Sequence, residues 1–254
     1  MLNITMTDTY DEMSALAAQH VVRALHEKPD LVMALPTGGT PVGMLAEMCR
    51  LARAGKADFS RAFSFNIDEY IALAKDDPQS YYGFLAHHFY QHVAIPAANT
   101  FVPDVLADSL SAECARYERA IRDHGDFDIT VLGIGHDGHI GFNEPHATHS
   151  PVCHVIDLNA ETIAANARFF ARQEDVPRQA ITLGIGTILR SKAIVLIASG
   201  RSKAAVMKQL HDCTRVDPLF PASFLLLHPN VTLICDSEAA SLITPQRQQY
   251  EDPE

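Results

Sequence analysis

Short apolar segments alternate with longer amphipathic segments along this chain, and this alternation restricts the possible folds more than any other feature. The apolar segments predict strands at 31–35, 63–67, 128–132, 180–184, 193–198 and 231–235. The amphipathic segments predict helices at 8–27, 41–54, 80–93, 109–123, 159–172 and 202–210. Buried strands separated by helices are typical of a parallel sheet covered on both faces. We therefore expect one α/β domain over residues 1–254, with a mostly parallel sheet and helices on both faces.

The charge and the cysteine pattern narrow the class of protein. The formal net charge is −11, and an acidic surface does not attract nucleic acid or anionic lipid. A few backbone N–H donors and a cation still bind a phosphate on such a protein. The chain begins without the basic start of a signal peptide and lacks the roughly 20 apolar residues of a membrane span. Five scattered cysteines indicate free thiols in a reducing compartment. We expect a cytoplasmic protein without nucleic-acid or membrane partners.

A glycine-rich turn follows the first predicted strand. It reads Thr37-Gly38-Gly39-Thr40-Pro41 and leads into a predicted helix. Ligands of open parallel sheets bind beyond the carboxyl ends of the strands, and a helix that begins there offers free N–H groups to an anion. The turn therefore predicts a site for a single phosphate, the alternative being an ordinary connection between strand and helix.

An acidic residue, Asp68, comes directly after the second predicted strand. A carboxylate at this edge of the sheet is suited to removing a proton from a carbon next to a carbonyl group. The alternative interpretation of the Asp68-Glu69 pair is a surface acidic pair or a helix cap.

The third predicted strand runs into a loop that combines glycines with acid–base groups, GIGHDGHIGFNEP. His139 can transfer protons near neutral pH, and the carboxylates of Asp137 and Glu144 on either side would fix its tautomer. A metal site built on these and the nearby histidines is the alternative. Their spacing matches no standard zinc pattern, so we expect no metal. A polar surface loop is the other alternative.

Two cations complete the candidate set. Lys203 follows a predicted strand at the start of a helix, and Arg168 lies in the segment ANARFF. Both are suited to binding a phosphate. Taken singly, a cation of this kind is more often a solvated surface residue.

Together these segments resemble one family. LPTGGTP, FNIDEY followed by PQSYYGF, GIGHDGHIGFNEP, ANARFF and SGRSKA occur in this order in glucosamine-6-phosphate deaminases, and the resemblance covers about residues 31–236. It implies a Rossmann-like fold and the conversion of glucosamine 6-phosphate and water to fructose 6-phosphate and ammonia. The implied reaction uses no cofactor and no metal, and its partner is a sugar phosphate.

The resemblance also implies roles for single residues. The aspartate that matches Asp68 moves a proton between carbon 2 and carbon 1. The histidine that matches His139 serves ring opening, supported by the carboxylates that match Asp137 and Glu144.

The remaining implied roles concern the phosphate and access to the site. The family's phosphate-binding positions match Thr37 to Thr40, Arg168 and Lys203, and its lid matches residues 158–175. Some members bind an acetylated amino-sugar phosphate between subunits through basic residues, but residues 149–157 here contain neither arginine nor lysine. We therefore expect no activation by that ligand. The resemblance leaves open whether the chain is a monomer or a homo-oligomer.

Three other functions compete with this interpretation. A galactosamine-6-phosphate deaminase is one, because the segment Pro221–His228 resembles that of galactosamine-type relatives. A lactone hydrolase acting on 6-phosphogluconolactone is the second, although it would not need a base at Asp68. A sugar-phosphate-sensing domain of a transcription regulator is the third, and the acidic charge and the lack of a DNA-binding module argue against it.

Overall fold

The structure, a computed structural model, describes residues 2–167, 170 and 172–243, without the side chain of Ala165. Its strands are β1 Asn3–Thr7, β2 Val32–Leu35, β3 Phe63–Asn66, β4 Asp68–Tyr70, β5 Thr100–Phe101, β6 Ile129–Leu132, β7 His154–Asp157, β8 Gln179–Thr182, β9 Ile194–Ala198 and β10 Val231–Asp236. Its α-helices are α1 Tyr10–Glu27, α2 Val42–Arg53, α3 Tyr81–His88, α4 Leu110–Asp123, α5 Ala160–Asn166, α6 Ile185–Leu189 and α7 Ala204–Asp212. Short 3-10 helices include Arg201–Lys203 and Pro221–Leu227.

A parallel sheet forms the centre of the molecule. Within the described ranges it has seven strands in the order β1-β10-β9-β6-β2-β3-β5. After β2, the chain adds β3 and then β5 on one side of β2. It then crosses to the other side of β2, where β6 is the neighbouring strand. The strand order therefore reverses between β2 and β6, and open α/β sheets bind their ligands at such a point.

Both faces of this sheet are covered, as the alternation of segments predicts. Val32 and Ala34 of β2 pack into one core with α4 and α7, whereas Met33 and Leu35 pack into a second core with α1 and α2. Successive side chains of a strand point to opposite faces, so a strand buried on both sides contains apolar residues throughout. This is why the sequence identifies β2, which is buried along its whole length.

A second, smaller sheet lies beside the first, and the sequence did not predict it. Its strands run antiparallel in the order β4-β8-β7. The predicted strand at 180–184 belongs here, and a single residue, Ile67, separates β3 from β4. β7 carries the polar residues His154 and Asp157 and is mostly half-buried, so it lacks an apolar run. β1 at the edge of the main sheet was missed for the same reason.

Helix α5 is shorter than the sequence predicts. The expected helix covers residues 159–172, whereas α5 ends at Asn166 and a 3-10 turn follows at Gln173–Asp175. Three residues of the expected helix, at positions 168, 169 and 171, lie outside the described part of the chain. Among the described helices, none is both long and apolar enough to cross a membrane.

Candidate functional site

A cavity of about 250 Å³ opens at the carboxyl edge of the main sheet, between the loops that follow β2 and β6. Most of the residues proposed from the sequence line it: Thr37, Gly38, Gly39, Thr40, Asp68, His139 and Lys203. Asp137 and Glu144 are not among the described residues that form its wall. Arg168 lies outside the described residues. Groups from four separate segments of the chain therefore meet in one place.

The glycine-rich turn is held in a fixed conformation beside the cavity. Gly38 has a φ of +99°, in the left-handed region that favours glycine. The hydroxyl of Tyr10 on α1 donates to the carbonyl of Thr40 at 3.1 Å and accepts from the N–H of Gly43 at 2.7 Å. The turn thus presents backbone and hydroxyl donors on the wall of the cavity without having to rearrange, as an anion site requires.

Lys203 brings a cation to the same wall. Its Nζ donates to the carbonyl oxygen of Ile134 at 2.7 Å, in the loop after β6. The turn that precedes it is fixed by Asp236, whose carboxylate accepts the N–H of Gly200 at 3.1 Å. Lys203 and the turn at Thr37–Thr40 therefore supply a positive charge and several donors to one cavity.

Asp68 is the carboxylate on the cavity wall. It is the first residue of β4, pairs with Thr182 of β8 and is 8% exposed. Burial, together with the neighbouring charge of Glu69, raises the pKa of Asp68 to about 8. A carboxyl group with a pKa near neutrality is suited to accepting and returning a proton.

Glu69 is a functional candidate that sequence reasoning missed. Its side chain is 1% exposed, which excludes the surface acidic pair considered for these two residues. The carboxylate accepts the backbone N–H groups of Tyr70 at 2.9 Å, Tyr81 at 2.8 Å and Tyr82 at 2.9 Å. Burial raises the pKa of Glu69, and the three N–H donors act against that rise. Glu69 thus joins β4 to the start of α3, next to Asp68.

His139 and Asp137 form a close pair in the loop after β6. Nδ1 of His139 lies 2.7 Å from Oδ1 of Asp137, and the backbone N–H of His139 donates to the same oxygen at 3.2 Å. The imidazole also lies against Gly135, where an added Cβ would stand 2.2 Å from its Cε1. Asp137 on one side and the bare backbone of Gly135 on the other therefore fix the ring where it meets the cavity.

The environment of Glu144 differs from the expected one. The sequence predicts two carboxylates flanking the imidazole, and within the described structure Asp137 is the carboxylate that contacts it. The carboxylate of Glu144 instead accepts the hydroxyl of Thr162 and, at 3.0 Å, the backbone N–H of Asn159. Both residues belong to the start of α5, so Glu144 reaches across to a helix rather than back to its own loop.

An aromatic wall, which the sequence motifs do not predict, also borders the cavity. Tyr70 and Tyr81 have ring centroids 4.7 Å apart, and Tyr81 stacks on Phe142 at 5.9 Å. Phe170 meets Tyr70 edge-on at 5.9 Å. All four line the cavity, and such surfaces are typical of small-molecule sites. The motifs NIDEY and PQSYYGF contain two of these residues, Tyr70 and Tyr81, so the signal is present in the sequence without a role attached to it.

The metal alternative finds no support in the part of the chain that the structure describes. There, no group of three or more histidine, cysteine or acidic side chains is arranged to hold a metal ion. His139 pairs with the carboxylate of Asp137 instead. The described cavity thus combines an anion site, a buried carboxylate and an imidazole–carboxylate pair, which together are suited to proton transfers on a small phosphorylated molecule.

Comparison with known proteins gives a consistent result. Residues 5–234 match the family model for glucosamine-6-phosphate isomerases and 6-phosphogluconolactonases. A glucosamine-6-phosphate deaminase of Thermoanaerobacter pseudethanolicus is 45% identical over 242 residues, which are 95% of this chain and 95% of that protein.

Solved structures agree with this similarity. A structure described as a monomeric glucosamine-6-phosphate deaminase has a TM-score of 0.92 and 44% sequence identity, covering 95% of this chain and 100% of that one. A 6-phosphogluconolactonase from Leishmania guyanensis has a TM-score of 0.73 and 20% identity, covering 96% and 99%. The second similarity establishes the shared α/β fold alone.

Proposed function

The chain belongs to the family of glucosamine-6-phosphate isomerases and 6-phosphogluconolactonases, and we propose that it is a glucosamine-6-phosphate deaminase. The reaction converts glucosamine 6-phosphate and water to fructose 6-phosphate and ammonia. The observation that carries this proposal is the meeting of Asp68, His139, Lys203 and the turn at Thr37–Thr40 on one cavity wall. A phosphate anchor with two separate acid–base groups is what this chemistry requires.

Binding is the first step. Lys203 and the donors of the turn Thr37–Thr40 hold the phosphate of the sugar, and the aromatic wall of Tyr70, Tyr81 and Phe142 packs against its ring. A fixed phosphate determines which carbons of the sugar stand next to Asp68. Arg168, which the resemblance assigns to the same phosphate, remains part of the proposal without a described position.

Ring opening is the second step, and we assign it to His139. The pyranose ring opens when its ring oxygen gains a proton and the hydroxyl of carbon 1 loses one, which leaves an aldehyde at carbon 1. His139 carries out this transfer, and Asp137, whose side chain contacts its Nδ1, keeps the proton of the neutral ring on that nitrogen. Nε2 is then the atom that exchanges protons with the sugar.

Isomerisation is the third step, and we assign it to Asp68. Its carboxylate removes the proton from carbon 2 while the oxygen of carbon 1 gains a proton, which forms an enolamine, and it then returns a proton to carbon 1. The amino group loses a proton as carbon 2 becomes an imine, water adds to the imine, and ammonia leaves as the ketone forms. The raised pKa of Asp68 favours return of the proton to carbon and still permits its removal near pH 8.

The experiment follows the release of ammonia and the formation of fructose 6-phosphate. Glucosamine 6-phosphate, galactosamine 6-phosphate and 6-phosphogluconolactone are offered in turn, because the competing functions differ in substrate. We expect turnover of glucosamine 6-phosphate to exceed that of the other two. A faster reaction with galactosamine 6-phosphate would reassign the substrate, lactone hydrolysis without ammonia release would contradict deamination, and binding without turnover would indicate a sensor.

The setting of the reaction is part of the same proposal. Five unpaired cysteines, four of them buried, support a reducing compartment, and we assign the enzyme to the cytoplasm and to the breakdown of amino sugars, including N-acetylglucosamine after its deacetylation. A structure at 44% sequence identity is described as a monomeric glucosamine-6-phosphate deaminase. A single copy should therefore be active, which sedimentation at assay concentration would test.

A further inference from the structure

The start of helix α5 is bound to the loop that carries the imidazole. Glu144, at the end of that loop, is 9% exposed, and its two carboxylate oxygens accept from different groups of α5. One accepts the hydroxyl of Thr162, and the other accepts the N–H of Asn159 at 3.0 Å. The side chain of Asn159 in turn accepts the N–H of Thr162 at 2.7 Å. The first turn of α5 and Glu144 thus form one hydrogen-bonded unit.

The same loop is anchored from its other side. The N–H of Phe142 donates to the hydroxyl of Thr182 at 3.0 Å, and the amide of Asn143 donates to the carbonyl of Leu183 at 2.8 Å. The loop is therefore hydrogen-bonded to the end of β8 and to the residue after it, and Glu144 connects the loop to α5. Among these contacts, only the tie to α5 connects it to a helix that itself lines the cavity.

The hydroxyl of Thr162 has a specific place in this unit. Thr162 is 5% exposed, and a buried carboxylate must have its lost hydration replaced by hydrogen bonds. Removing one partner of a hydrogen bond to a charged group costs more than removing a neutral bond, since the carboxylate is left under-solvated. The expected response to losing the hydroxyl is a shift of Glu144 and of the α5 turn that rests on it.

We propose that Thr162 is a positioning residue that acts through Glu144, holding α5 and the His139 loop in one arrangement across the cavity. The proposal rests on the proposed deaminase function for its kinetic consequence. The physical tie between helix and loop does not depend on that function. The two are therefore tested by separate measurements.

The chain offers a matched control for this contact. Thr187 of α6 donates its hydroxyl to the buried carboxylate of Glu118 on α4, so the pair repeats the chemistry of Thr162 and Glu144. Neither residue of the control pair is among the described residues of the cavity wall. Thr187→Val should therefore lower stability and leave kcat within about twofold of the wild type.

The kinetic test compares Thr162→Val, Thr162→Ser and the control Thr187→Val with glucosamine 6-phosphate as substrate. Thr162→Val keeps the shape of the side chain and removes the hydroxyl, and we expect kcat to fall about 10- to 100-fold with a smaller change in KM. Thr162→Ser restores the hydroxyl and should recover kcat to within about threefold of the wild type. A Thr162→Val enzyme with kcat within twofold of the wild type would overturn the proposal.

A double-mutant cycle shows whether Thr162 acts through Glu144. In a Glu144→Ala background, Thr162→Val should cost less than about twofold in kcat, because the acceptor of the contact is already removed. A further loss as large as that of Thr162→Val alone would mean that the two residues act independently. That result would overturn the role assigned to Thr162.

The physical tie is measured by hydrogen exchange, without any substrate. Backbone amides of residues 159–166 should exchange faster in Thr162→Val than in the wild type, Thr162→Ser or Thr187→Val. If the wild type exchanges as expected but releases no ammonia, the deaminase proposal fails and the tie stands. Unchanged exchange in Thr162→Val would contradict the tie itself.

Discussion

Nδ1 of His139 lies 2.7 Å from Oδ1 of Asp137, two residues earlier in the same loop. Burial acts to raise the pKa of Asp137, but the contacts with His139 outweigh it and hold that pKa below its ordinary value. Asp137 is therefore ionised at the pH at which the enzyme works, and it maintains its contact with the imidazole. The imidazole is thus oriented before any substrate arrives.

The position of that ring depends on the absence of a side chain at Gly135. Gly135→Ala would place a methyl group 2.2 Å from Cε1 and 2.3 Å from Nδ1 of His139, so the ring must move away. We expect kcat for ammonia release to fall about 10²-fold, the scale of a lost general acid–base group. A kcat within about twofold of the wild type in Gly135→Ala would contradict this account.

Glu69 should set the pH range of activity through its charge next to Asp68. The base must be ionised, so kcat/KM should rise with pH and level off above about 8. Glu69→Gln removes the like charge, lowers the pKa of Asp68 and moves the rise of kcat/KM to lower pH. Ionisation of the substrate affects the pH profiles of both enzymes equally. A difference between the two profiles therefore reports an ionisation of the enzyme. Superimposable profiles would exclude this role for Glu69.

Asp68 should make the fold less stable as pH rises. The unfolded carboxyl ionises near its ordinary pKa of 3.8, whereas the buried group keeps its proton until about pH 8. The unfolded state therefore releases a proton first, and stability falls between about pH 4 and pH 8. Asp68→Asn removes this loss, with an expected gain at pH 8 of up to about 5 kcal/mol, or about 10–20 °C in Tm.

Urea unfolding of both proteins at pH 5 and pH 8 measures that gain. The advantage of Asp68→Asn should grow between the two pH values, whereas Asp30→Asn, a substitution at an exposed aspartate, should show no such growth. An advantage independent of pH would mean that Asp68 does not titrate in this range.

The acetylated amino-sugar phosphate should not activate this enzyme. The strand His154–Asp157 and the turn before it lack the arginine and lysine side chains that such an anion needs. Substrate saturation should therefore be hyperbolic and unchanged by that ligand. Sigmoidal saturation that becomes hyperbolic when the ligand is added would show that a site exists despite the missing cations.

The sequence predicts those parts of the molecule that depend on local pattern. β2 and β9 are apolar throughout because both faces of the sheet are covered, and periodicity finds them. Asp68 and His139 were found because each lies near the end of a strand, where parallel sheets bind ligands.

The parts that were missed depend on contacts between distant segments. Glu69 looks like a surface acid until Tyr81 and Tyr82, twelve and thirteen residues later, donate their N–H groups to it. Glu144 was expected at the imidazole because it lies in the same loop, but Thr162 of α5 folds onto it from outside. A local pattern of residues does not show which helix packs against a given carboxylate in the folded chain.

The central claim is that Asp68 moves the proton from carbon 2, and one measurement tests it directly. Wild type and Asp68→Asn are compared for ammonia release from glucosamine 6-phosphate and for exchange of the carbon-2 hydrogen with deuterated water. We predict that Asp68→Asn loses at least about 10²-fold in both, while binding of the sugar phosphate is retained. Wild-type rates of exchange and ammonia release in Asp68→Asn would contradict the mechanism.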